Sequence, residues 1–197
     1  MANADLANGF RNARSGNGGT PGRLNEYPIA TAYGTSIGDG DIVKQLTDGT
    51  IALAAAGDQF LGIFKGVRYT ASDGSIVFRR NWIASTPEKS GTTIYALVDD
   101  DPGAEYEVIA DTSTTRASIG QFANLVASAV DANGGSTMSV VHGGSEVQFQ
   151  VIDVVIGKPV VNAAGNQDLS TTGTFSIVRV RPILHQRGAS QAVLAEV

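Results

Sequence analysis

The side chains able to do chemistry in this chain are few and scattered. His142 and His185 are its two imidazoles, far apart in sequence and with no carboxylate-rich segment beside either. A Ser-His-Asp triad is a spatial constellation, so sequence spacing alone leaves it open. No Gly-x-Ser-x-Gly elbow occurs, and hydrolysis is the minor reading. Acidic residues gather at Asp99, Asp100 and Asp101, followed by Glu105 and Glu107, and again at Asp39 and Asp41. Both groups offer the oxygen ligands that calcium takes. Neither carries the spaced-aspartate loop ending in a bidentate glutamate. They read better as acidic turns, with Glu105 and Glu107 forming an edge that discourages unwanted strand pairing. A polysaccharide hydrolase would draw its carboxylate pair from the same 99–107 stretch. No catalytic residue, metal or cofactor is assigned.

Basic residues point to contacts instead. Arg79-Arg80-Asn81-Trp82 is the kind of cluster that stacks on a base and pairs with a phosphate. Lying in an apolar strand, it reads better as Trp82 in a core or interface and the arginines in ion pairs. Arg179 and Arg181 alternate with Val178 and Val180 and form one polar strand face. The net charge of -5 argues against a body that binds nucleic acid. Residues 1–24 run the other way, since Arg11, Arg14 and Arg23 against Asp5 leave +2. That arm is either a solvated tail or a strap for an acidic neighbour. Phe10 is the residue able to anchor it by burial, in its own domain or in another subunit. The candidate contact residues are therefore Phe10, Arg11, Arg14, Arg23, Arg79, Arg80 and Trp82. Gly16-Asn17-Gly18-Gly19 leads into Pro21 and a strand, so it does not form a phosphate cradle, which needs a following helix.

The elements that must carry these residues are strands. Among 197 residues, 24 are glycine, 17% are charged and none is cysteine, a composition unlike a helical bundle and without disulfides or thiolate chemistry. Asp48-Gly49 and Asp73-Gly74 separate apolar runs and suit tight hairpins. Strands are expected at 27–33, 41–46, 50–53, 60–69, 75–84, 92–98, 105–110, 146–156 and 174–186, the first of them edge-tolerant because Pro28 cannot donate a ladder bond. The 119–130 segment is ambiguous: Phe122, Leu125, Val126 and Ala129 have helical spacing, while its length, its glycine and the turn at 131–135 suit a strand, the reading taken here. In 146–156 the apolar parity switches at Val151-Ile152, which implies a bulge or burial of both faces. No exact internal repeat is visible, 162–172 reads as a polar loop, and 187–197 as a segment that docks as a last strand or adds to a neighbour. The expected fold is all-β, a β-barrel or sandwich-like body over 25–197 behind a flexible arm over 1–24, either as one unit or as two β subdomains divided near 111–118. The N-terminus has no secretion-signal pattern and no run approaches the roughly 20 apolar residues of a membrane span.

The order of these pieces resembles the head decoration, or cement, proteins of tailed bacteriophages. The likeness rests on Gly38-Asp39-Gly40-Asp41-Ile42-Val43, on Phe60-Leu61-Gly62-Ile63-Phe64 with Gly66-Val67-Arg68-Tyr69, and on Val151-Ile152-Asp153 paired with Arg179-Val180-Arg181-Pro182-Ile183-Leu184-His185. It covers residues 24–84 well and 146–186 more loosely, through structural motifs. The resemblance implies β-rich domains on the capsid exterior, commonly homotrimers at three-fold positions, clamping neighbouring major capsid protein subunits against genome pressure. It also implies a terminal arm used for attachment, assembly in the host cytoplasm, and no direct contact with nucleic acid or membrane. The family has no fixed residue signature, so no contact residue transfers. A carbohydrate-binding tail or fibre module is the alternative, for which several exposed aromatics are expected.

Overall fold

Two aspartate-glycine turns set the first hairpins. The computed structural model describes residues 8–14, 23–127, 129–143, 145, 147–161, 167–169 and 171–188. At the first turn Gly49 has φ +84 and Asp48 Oδ1 accepts the Thr50 amide at 2.9 Å, so β3 (Ile42–Gln45) folds back on β4 (Ile51–Leu53). At the second Gly74 has φ +89 and Asp73 Oδ1 accepts the Ser75 amide at 2.8 Å, joining β5 (Gly62–Thr70) to β6 (Ile76–Arg79). With β2 (Leu24–Ile29) and β7 (Ile94–Asp99), pairing runs β3-β4-β2-β7-β5 and closes through β3–β5. The result is a five-stranded ring with β6 outside it.

A second ring follows the same route. β8 (Glu105–Ala110), β9 (Phe122–Val126), β10 (Ser139–His142), β11 (Phe149–Val155) and β14 (Ser176–Pro182) pair as β8-β10-β9-β11-β14 and close through β8–β14. In both rings the first and third strands meet in parallel by one bridge, Ile29 with Ile51 and Val140 with Ala110, and every other pairing is antiparallel. In both, the fourth strand shifts register against the fifth, between Phe64 and Gly66 and between Val151 and Asp153. Both also insert extra strand between fourth and fifth: β6 in one, and β12 (Pro159–Val161) paired with β13 (Gln167–Leu169) in the other. The chain is therefore a tandem repeat of one barrel topology, although its two halves share almost no residue pattern.

The rings share core. Phe60, Ile63 and Ile42 pack with Tyr106, Val108, Phe149, Val151, Val178 and Val180 of the second ring, while their neighbours Leu61, Phe64 and Val43 turn into the first. Strands buried on both faces carry continuous apolar runs, which explains why Phe60-Leu61-Gly62-Ile63-Phe64 alternates so loosely. The two rings lean on each other at these strands.

β2 lies between β4 and β7, yet it meets β4 at Ile29 alone, so Pro28 is laddered on one side only, as an edge-tolerant strand allows. Several expectations are corrected. The passage between rings falls at residues 100–104, ahead of 111–118, because 105–110 already begins the second ring. The arm is not wholly a tail: β1 (Arg11–Arg14) pairs antiparallel with β8. The strand reading of 119–130, by contrast, agrees with the structure: the segment holds β9, with Ala123 and Leu125 inward and Phe122 exposed. Part of the polar 162–172 stretch, Gln167–Leu169, pairs with β12, whereas 162–166, 170, the 15–22 linker and 189–197 lie outside the described residues. Among the described residues no helix is long and apolar enough to cross a membrane.

Candidate interaction surface

Most groups singled out for chemistry are held in structural bonds. Asp99 and Asp100, at the hinge between rings, are buried. Asp99 accepts from the Asn12 side chain on β1, and burial raises its carboxyl above the usual range despite that bond. Asp100 accepts from Asn25 Nδ2 at 2.8 Å and Tyr27 Oη at 2.5 Å, and Arg187 Nη1 lies 2.5 Å from it. Burial, then the Asp100 bond, pushes the Tyr27 phenol far up. Asp41 is buried as well, accepts the Gly38 amide at 2.6 Å, and is raised by desolvation. These acids lock turns and ring junctions. They do not form an open carboxylate pair.

The histidines are equally enclosed and far from a common site. His142 Nε2 lies 3.0 Å from Thr114 Oγ1 and its Nδ1 2.9 Å from Gln121 Oε1, in a buried hydroxyl–imidazole pair beside which the Thr112 carbonyl lies 3.1 Å from the same Thr114 oxygen. His185 sits edge-on to Phe60, 5.4 Å between ring centroids, and its Nδ1 accepts the Arg187 amide at 3.1 Å. Its Nε2 is buried and makes no well-formed hydrogen bond among the described residues. Among the described residues no group of three or more His, Asp or Glu is placed to hold a metal ion.

His185 has a measurable consequence. Burial lowers its pKa from 6.5 to about 4, so the folded chain keeps it neutral where the unfolded chain takes a proton. The stability of the neutral ring is complete above pH 6.5 and is lost as pH falls toward 4. Between pH 8 and 5 the wild type should lose on the order of 2 kcal/mol more than His185→Asn, which retains an acceptor for the Arg187 amide. Urea unfolding at the two pH values measures the difference, and equal losses would exclude the effect.

The predicted contact residues separate into two groups. Phe10 is fully buried in its own chain, against Phe149 at 5.2 Å and Tyr106 at 6.2 Å, so it is unavailable to a partner. Trp82 is buried too, its Nε1 donating to the Tyr33 carbonyl at 3.3 Å and its ring edge-on to Tyr69. These two are core residues. Arg14, Arg23 and Arg79 face solvent. Arg11 and Arg80, 69 positions apart by their numbers, line one cleft of about 420 Å3 between the rings with Lys65, Asp39 and Asp131. There Arg80 Nη2 lies 2.5 Å and Lys65 Nζ 3.5 Å from the Asp39 carboxylate. On β8, Glu107 takes Lys158 and Arg179 and stands opposite Arg11 in the β1 ladder. Asp39 and Glu107 thus each pair with two cations.

Sequence reasoning passed over a second surface. On β6, Ile76 and Phe78 are each 67% exposed while Val77 between them packs on the core. Their alternation was visible, but the 75–84 run read as one strand with no indication of which face was covered. Phe78 stands beside Arg68, Arg68 beside Tyr95 and Tyr95 beside Pro28, so a band of side chains crosses the outer face of the first ring. In it Arg68 bonds Glu26 through both Nε and Nη2, at 3.2 and 3.0 Å, and lies 4.9 Å over the Tyr95 ring. No protein-family model, curated protein or solved structure matches the chain.

Proposed function

We propose that the chain is a structural protein of a tailed-phage virion, binding the capsid exterior as a homotrimer and bridging major capsid protein subunits. One observation carries the reading: the acids and imidazoles are committed to internal bonds, while apolar and basic groups are left outward on edges of a stiff double barrel. A protein that clamps others needs such a body, because rigid surfaces lose little conformational entropy on docking. Assembly in the host cytoplasm, without nucleic acid or membrane contact, belongs to the same proposal. Attachment then falls to the outward residues Arg14, Arg23, Arg79 and Arg80, since Phe10 is engaged within the chain.

The carbohydrate-binding reading draws less support. The large exposed apolar residues are aliphatic apart from Phe78 and Phe122, whereas Trp82, Tyr27, Tyr69 and Tyr106 are buried. The test of the capsid reading is co-sedimentation with purified shells stripped of their outer proteins, with the mass in solution measured in parallel. We expect a mass of three chains and saturable pelleting that weakens with salt. A protein that stays in the supernatant with every shell of its own phage would end the proposal.

A further inference from the structure

We infer that β6 is a self-association edge: two copies of the chain pair antiparallel through this strand about a two-fold axis at Val77. The inference goes beyond the capsid reading and stands without it. Its first support is the backbone. β6 ends its sheet, joined to β5 on one side and to no described strand on the other. In an antiparallel ladder, residues alternate between those that exchange bonds with the neighbour and those whose N–H and C=O turn away. The Ala71 amide donates to the Ser75 carbonyl at 2.8 Å, so the bonded pairs two and four residues on are Tyr69 with Val77 and Val67 with Arg79. The Lys89 amide reaches the Thr70 carbonyl from the side away from β6, as this phase requires. Ile76 and Phe78 therefore present their backbone groups to the open edge, and theirs are the side chains exposed by 67%.

The occupant follows from what a second copy would place opposite. Pairing about Val77 sets Ile76 against Phe78 of the partner, and Phe78 against Ile76, so both open backbone pairs are filled and both exposed side chains covered by each other. An aromatic beside a β-branched residue is a favourable cross-strand pair. Arg79 would face Ser75, two residues from Asp73 in the hairpin turn, and this juxtaposition sets an arginine beside a carboxylate. Arg79 has no ion-pair partner among the described residues, and Asp73 is exposed at the hairpin tip. The edge is thus self-complementary in backbone, apolar contact and charge, as an isologous contact must be. Natural edge strands are often blunted by proline, which β6 lacks.

Sedimentation of the full chain across a concentration series, together with residue-resolved amide exchange, tests this. Wild type should show its basal species doubling in mass with concentration. The amides of Ile76 and Phe78 should slow by at least about tenfold in the associated form, while those of Val77 and Arg79, already bonded to β5, change little. Phe78→Asp should abolish the doubling, as should Arg79→Asp alone and Asp73→Arg alone, and Arg79→Asp with Asp73→Arg should restore it. Recovery in the double variant is a readout that damage to the hairpin could not produce. No doubling in wild type, doubling that survives Phe78→Asp, or equal protection of all four amides would each overturn the inference. A basal mass other than three chains would count against the trimer of the capsid reading and leave this contact standing.

Discussion

Phe10→Ala is expected to remove about 3 to 5 kcal/mol of folding stability, the range for deleting a fully buried aromatic ring. The residue lies near the chain start in a stretch that reads as a tail, yet its ring stands in a row that joins the barrels. Phe60 stacks on Phe149 at 4.7 Å, Phe149 on Phe10 at 5.2 Å, and Phe10 meets Tyr106 edge-on. Its amide donates to the Gly40 carbonyl at 2.9 Å, a tie to the first ring, while the following residues form β1 on the second. Truncating the ring leaves a void among side chains of two barrels and loosens the residue that seats β1. The edge of β8 then opens and Asp99 loses the orientation of Asn12. The urea midpoint should fall with the slope little changed. Measured at a concentration below that of β6 pairing, Phe78→Ala, at a site 67% exposed, should cost no more than about 0.5 kcal/mol. Equal effects from the two substitutions would mean that Phe10 does not occupy this core.

Features set by neighbours in sequence were legible. The Asp48-Gly49 and Asp73-Gly74 hairpins, the strand 105–110, the parity switch at Val151 and the pairing of its strand with Arg179–Pro182 all appear as read. Trp82 takes the core alternative of its core-or-interface reading, and of the two arginines read as ion-paired Arg80 is paired while Arg79 has no ion pair among the described residues. A turn needs a positive φ at one glycine, and a bulge shows where alternation changes phase, so each leaves a local mark. Ring closure leaves none. The β3–β5 and β8–β14 contacts join strands whose faces would look the same in an open sandwich. The repeated topology was hidden for a related reason: strand order is a property of pairings, and each barrel fills its interior with different side chains.

The contact residues were misjudged where a long-range partner decided the outcome. Phe10 and Asn12 are held by Tyr106 on β8 and by Asp99 at the end of β7, far downstream, so the arm's own composition could not show that it belongs to the body. Asp99 and Asp100 carry the composition of a solvated turn, and their burial depends on Asn12, Asn25, Tyr27 and Arg187, drawn from both ends of the chain. For the same reason an acidic cluster in sequence proved to be a junction in space. The exposure of Ile76 and Phe78 could not be read either, because period two says which residues share a face and not which face is covered.

The junction also identifies the glycine with the least room among those described, and Gly62→Ala should be the most damaging glycine-to-alanine change among them. A β-carbon at Gly62 would lie 2.0 Å from the Asp99 carbonyl oxygen and 2.8 and 2.9 Å from the Asp99 carbonyl carbon and Asp100 Cα. These are backbone atoms, so no rotamer change relieves the overlap, and β5 must move away from β7. That shift would fall where Val43 pairs with Gly62 and Ile63 with Asp99, at the closure of the first ring. It would also disturb buried Asp99 and Asp100 together with the Asn12, Asn25 and Tyr27 bonds that make their burial tolerable, since a buried carboxylate without donors is strongly unfavourable. Overpacking alone costs about 1 to 3 kcal/mol, and the loss of these bonds adds to it, so a decrease of at least about 3 kcal/mol is expected. Gly34→Ala, where the added carbon meets nothing within 4 Å, should stay within about 0.5 kcal/mol of wild type. Urea unfolding of the two variants supplies the comparison, and amide exchange along 62–70 and 94–99 locates the damage. If Gly62→Ala were as stable as Gly34→Ala, the two strands could not approach as closely at Asp99 as this packing requires, and the acids of the junction would have to lie nearer to solvent.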